Sequence, residues 1–109
     1  MSGMSGGGYV PSESQNERSF DCSLLSITTA LASPNATVLA HVRVNDILIV
    51  SAESERGPVC IYKEDEKVGA ILHKDLLKLI NCINEGTEYE AKVFEVEGGK
   101  CVVKISVKR

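Results

Sequence analysis

The residues with reactive chemistry in this chain are few. Four cysteines (Cys22, Cys60, Cys82, Cys101) stand 38, 22 and 19 residues apart, and the two histidines are His41 and His73. Zinc sites need close Cys or His pairs such as C-x-x-C, and none occurs, so no metal site and no cofactor are expected. A thiol enzyme would need His73 beside Cys82. Nine helical residues at about 1.5 Å each would hold them roughly 13 Å apart, far beyond hydrogen-bond reach. His73 therefore reads as a helix-entry residue, and nothing in the sequence brings His41 to it.

Carboxylates gather at Glu64-Asp65-Glu66 and at Glu95/Glu97. These fall on turns and outward strand positions, whereas paired catalytic carboxylates need a shielded cleft to separate their pKa values. Phosphate loops, nucleophile elbows and His-Glu-x-x-His motifs are absent. The expectation is a chain that is not an enzyme.

Two sets of residues remain as binding candidates. Lys100, Lys104 and Lys108 point to one side of the last strand, with Lys92 on its neighbour and Arg109 at the end; together they would form a strip for nucleic-acid phosphates. The competing reading is edge protection, because lysines blunt a terminal strand against aggregation. The other set is Lys78, Cys82 and Tyr62, a candidate protein contact. Cys82 enters it because the wheel of residues 76–83 places Leu76, Leu77, Leu79, Ile80 and Ile83 on one arc of roughly 160°. Cys82 then falls on the polar side.

The elements that carry these residues follow from hydrophobic period and turn signals. Residues 1–19 hold four glycines and five serines with little to bury, and read as a disordered tail. Residues 20–109 read as one small domain. Residues 24–31 are β-branched and read as a strand; residues 33–42 read as one or two helical turns, with Ser33 as N-cap and Pro34 first. Val44-Asn45-Asp46 reads as a turn. Strands are expected over 46–54, 58–63, 67–72, 87–97 and 100–108. A helix ending at Gly86 separates the third of these from the fourth. Gly98-Gly99 suits a two-residue hairpin, and the apolar phase flips near Val93, the mark of a β-bulge. Ile47 to Val50 is apolar on both faces, so its second face should lie under residues 24–31 or the short helix.

This β-β-β-α-β-β order is that of an OB-like or SH3-like small barrel, mainly β (α+β), with an extra N-terminal strand and short helix. The fragment from Lys67 to Val107 resembles the second half of HIRAN domains. The likeness rests on Val68-Gly69-Ala70-Ile71, the leucine-rich helix, Glu85-Gly86 and the closing strand pair. It implies an OB-like fold and, by family, recognition of DNA ends. The stretch "SAESERGPVCIYKEDEK" lacks the Asn-Pro-x-Asp-type segment that leads to the family's DNA pocket, so no site residue is carried over. In the resemblance, Gly69 serves close backbone packing beside the helix.

The formal net charge is −3 among 109 residues, without the strongly basic balance of a general nucleic-acid binder. No secretory leader or membrane-length apolar run is visible. The cysteines are expected as free thiols and the chain as cytoplasmic. The function expected is a non-catalytic binding or regulatory module for another protein, such as a helicase, nuclease or ATPase component. The alternative is a nucleic-acid accessory domain. Oligomeric state is not legible.

Overall fold

The computed structural model describes residues 21–108; the expected tail and Arg109 lie outside them. A short 3₁₀ turn (Cys22–Leu24) leads into β1 (Ile27–Ala30) and the one-turn helix α1 (Ala36–Leu39). Then come β2 (Ile47–Ala52), β3 (Val59–Lys63), β4 (Glu66–Ala70), helix α2 (Leu76–Asn84), β5 (Tyr89–Glu97) and β6 (Lys100–Val107). All pairings are antiparallel, in the order β1-β6-β5-β2-β3-β4. The small-barrel expectation holds, with the extra N-terminal strand and short helix falling inside the stretches expected for them.

The N-terminal strand is what closes the curl. β1 pairs with β6 along Ile27–Ala30, and two residues later Ala32 bridges Ala70 of β4. Both hydrogen bonds of that bridge form, at 2.7 and 2.9 Å, so the two outer strands of the sheet are tied through one chain segment. Gly69 makes the approach possible: a Cβ there would meet Leu31 Cβ at 3.0 Å and the Ala32 carbonyl oxygen at 3.1 Å. Gly69 does serve close packing, but against the Leu31 side chain and the Ala32 carbonyl and not beside the helix.

Turn chemistry fixes the register. Gly98 and Gly99 both take positive φ, as a two-residue hairpin between Glu97 and Lys100 requires. The β5–β6 register shifts between Val93 and Glu95, at the predicted bulge. Val44-Asn45-Asp46 is the expected turn, with the Asp46 carboxylate accepting the Arg43 N–H at 2.9 Å. α1 starts later than expected. Ser33 has φ +49°, and Asn35 is the N-cap, its side chain accepting the Thr37 and Val38 N–H groups.

The barrel interior is aliphatic, built from Ile27, Leu48, Ile61, Val68, Val93, Val103 and Ile105 among others, with α2 laid across it through Leu79 and Ile80. α2 ends in a Schellman motif: the Thr87 N–H reaches the Cys82 carbonyl and the Gly86 N–H the Ile83 carbonyl, with Gly86 at φ +105°.

The helix corrects one expectation directly. Leu77 is 73% exposed and Cys82 only 3%. The buried stripe has the predicted width but is rotated by about 60°, at about 100° per residue, so that Cys82 enters it and Leu77 leaves. The cause is covalent: Cys82 is disulfide-bonded to Cys22, with Cα atoms 5.7 Å apart. The expectation of four free thiols is therefore wrong for this pair. Cys60 and Cys101 are free and buried, and burial pushes both thiols up from their ordinary pKa. Among the described residues no helix is long and apolar enough to cross a membrane.

Candidate functional site: the outer face of β6, β5 and β2

Alternation along three neighbouring strands sets this face. On β2, Leu48 points into the core while Ile47 and Ile49 point out, 55% and 53% exposed. On β5, Ala91 and Val93 are buried and Lys92 is exposed; on β6, Val103 and Ile105 are buried and Lys104 is exposed. Register then sets two rows across the sheet. One runs Thr28, Lys104, Lys92, Ile47; the other runs Ser106, Glu90, Ile49, Tyr62.

Ile47 and Ile49 were expected to be covered. They are not, because the segment that could have covered them runs between β6 and β4 to close the barrel instead. Two solvent-facing isoleucines on a strand with neighbours on both sides cannot be attributed to a frayed edge. The available signal was the apolar character of both faces of β2.

Lys92 and Lys104 sit directly opposite each other. Like charges at such positions are destabilising by a few tenths to about 1 kcal/mol. Among the described residues neither lysine belongs to an ion pair. β1 pairs with β6 over Val102–Ile105 and β5 lies on the other side, so Lys104 does not guard an open edge, and the edge-protection reading fails for it. The rest of the predicted strip disperses: Lys100 Nζ turns to Glu95 Oε2 at 3.9 Å near the hairpin. Lys108 lies beyond β6, its N–H donating to the Glu88 carbonyl.

Beside the isoleucines a cleft of about 650 Å³ opens, lined by Ile49, Ser51, Ala52, Ile83, Glu88 and Lys108 among others. Its origin is topological. β2 pairs with β5 only from Ile47 to Ile49, then continues to Ala52 against β3 alone, while β5 begins at Tyr89. The strands part, and α2 with Gly86 and Thr87 forms the far wall.

The predicted protein-contact residues do not share one surface role. Cys82 is buried in its disulfide and is unavailable to a partner. Lys78 is exposed on α2. Tyr62 is half-buried, and its hydroxyl donates to Glu53 Oε2 at 3.1 Å. The same oxygen receives Lys67 Nζ at 2.8 Å and the Cys60 thiol at 3.4 Å. These three donors, Lys67 foremost, hold the Glu53 carboxyl below its ordinary pKa. His73 sits three residues before α2, its Nδ1 accepting the Asp75 N–H at 3.1 Å, which matches the helix-entry reading. No three His, Cys, Asp or Glu side chains among the described residues gather as a metal site would require.

No protein-family model, curated protein or solved structure matches this chain.

Proposed function

We propose that the chain is a non-catalytic binding module whose partner is another protein, held on the outer face of β2 and β5. The carrying observation is the exposure of Ile47 and Ile49 at 55% and 53% on an interior strand of the sheet, beside an open cleft. Exposed apolar side chains next to a concavity are the usual anchor of a protein contact. Lys92 and Lys104, lacking counter-charges, fit a partner with carboxylates flanking its apolar segment.

The non-catalytic part is supported by the state of the reactive groups. Two thiols are tied in a disulfide and two are buried, and three donors converge on one oxygen of the Glu53 carboxylate. A cytoplasmic location belongs to the same reading, although two of the four cysteines are not free thiols. A cytoplasmic chain with this bond would have to make and break it against the cell's thiol reductants.

A second reading, nucleic-acid binding, is favoured by one observation: the opposed Lys92–Lys104 pair, with Phe94 on β5 48% exposed.

The test is affinity with defined variants. A partner is captured on the full chain, identified and purified, and its Kd measured against wild type and the Ile47→Asp/Ile49→Asp double variant. A weakening of at least about tenfold is expected, as for anchor residues. An unchanged Kd in a folded variant overturns the proposal. A shift of single-stranded or blunt duplex DNA that vanishes in Lys92→Ala/Lys104→Ala and falls steeply with salt replaces it with the second reading.

A further inference from the structure

The Cys22–Cys82 bond joins the N-terminal 3₁₀ turn to α2, next to residues that line the cleft. Cys22 belongs to the 3₁₀ turn, whose last residue, Leu24, is 75% exposed. The strand pairing that closes the barrel starts only at Ile27. On the other side of the bond, Cys82 precedes Ile83, which lines the cleft. Tyr89 lines it too, and its hydroxyl donates to the Cys22 carbonyl at 2.6 Å. The clasp therefore braces two cleft residues from outside the sheet.

The two sulfurs differ in access. Cys82 is 3% exposed, whereas Cys22 is half-buried, so an incoming thiolate reaches Cys22 Sγ first. Glu85 Oε1 stands 3.9 Å from that sulfur, which carries no proton, so this is a contact and not a hydrogen bond. A carboxylate at that distance repels an incoming thiolate. The remaining thiols, Cys60 on β3 and Cys101 on β6, are fully buried on strands that are not neighbours. They cannot compete for the bond while the barrel is folded.

We propose that Cys22–Cys82 is a reversible thiol–disulfide site, opened by a dithiol reductant, that releases the Asp21–Leu24 turn and loosens the Ile83–Tyr89 wall while the barrel stays closed. In the exchange, one thiolate of the dithiol attacks Cys22 Sγ, and Cys82 leaves and takes up a proton. The second thiol of the dithiol then displaces Cys22, which is protonated in turn. The dithiol becomes a disulfide, and two electrons and two protons pass to the protein. The site does not depend on the identity of the binding partner.

The test uses the purified full chain, dithiothreitol as the dithiol, and oxidised glutathione to reverse it. Thiol labelling in native buffer, read by peptide mass, is expected at Cys22 and Cys82 after reduction and at neither Cys60 nor Cys101. Amide exchange is expected to rise by about tenfold or more in residues 22–25 and 82–89, with residues 100–107 unchanged, as in a local opening. Oxidised glutathione should restore both. The Cys22→Ser/Cys82→Ser variant should show the loosened exchange pattern with and without reductant. Three results overturn the proposal. The native bond resists excess dithiothreitol; or glutathione leaves all four cysteines free; or protection is lost across β5 and β6 on reduction or in the double variant, making the bond a staple of the whole fold.

Discussion

The Glu53 carboxylate gathers Lys67, Tyr62 and Cys60 on one oxygen, and so ties the outer faces of β2, β3 and β4 together. Its pKa is lowered, first by the hydrogen bond from Lys67 and then by those from Cys60 and Tyr62. The sign of the linkage follows. A carboxyl with a depressed folded pKa binds its proton more readily in the unfolded chain, so its stabilisation is full above the ordinary glutamate value of 4.5. It is lost as pH falls through the lower folded value. Glu53→Gln should therefore melt at a lower temperature than wild type at neutral pH. The gap should close as both proteins are acidified below 4.5, as followed by circular dichroism. A gap that persists in acid means that the carboxylate's charge is not what holds the cluster. None of this was legible in the sequence, because the four residues meet only through strand register, and register is a property of pairs of strands.

At the scale of elements, the features written in local chemistry came through. Gly98-Gly99, the bulge between Val93 and Glu95 and the Gly86 cap each follow from backbone freedom or from a break in alternation. What failed was set by a distant partner. The wheel of α2 counts Leu77 as core and Cys82 as surface, since leucine is the stronger hydrophobe and the covalent bond to Cys22 is invisible at a separation of 60 residues. A prediction separates the two wheels. Leu77→Lys, at 73% exposure, should leave the urea midpoint nearly unchanged. Leu79→Ala, at 0% exposure, should cost about 2–5 kcal/mol, the range for a buried leucine truncated to alanine. If Leu77→Lys is the more damaging substitution, the helix packs on the face that the wheel alone indicates. The isoleucines of β2 belong to the same lesson. Their double-sided apolar pattern was visible, but whether an element covers them depends on where β1 runs.

The whole molecule turns on that course of β1. Five of the six strands follow the expected OB-like order, yet they would leave β6 and β4 as open edges if the N-terminal segment did not run between them. The closure is narrow: four residues paired to β6 with the Leu31 N–H on the Cys101 carbonyl, then the Ala32–Ala70 bridge and the Asn35 N–H on the Val68 carbonyl. The disulfide acts just before this segment. By chain entropy alone, closing a loop of 60 residues restricts the unfolded chain by about 4 kcal/mol. That restraint aids closure without contributing to the bridge itself. The bridge depends on Gly69, because an added methyl would press on the Leu31 Cβ and the Ala32 carbonyl, which are close to the backbone and cannot rotate away. Gly69→Ala should therefore lower stability by about 1–3 kcal/mol, the usual cost of overpacking. The loss should appear as a lower urea midpoint with an unchanged slope. It should also have an address. The Ala32 and Ala70 amides donate to each other's carbonyls, so their hydrogen exchange should accelerate more than that of Val103 or Ile105 in the same variant. Uniform acceleration across all four would mean that closure is cooperative with the whole sheet. An unchanged Ala32–Ala70 pair would mean that the strands have room which the present geometry does not show.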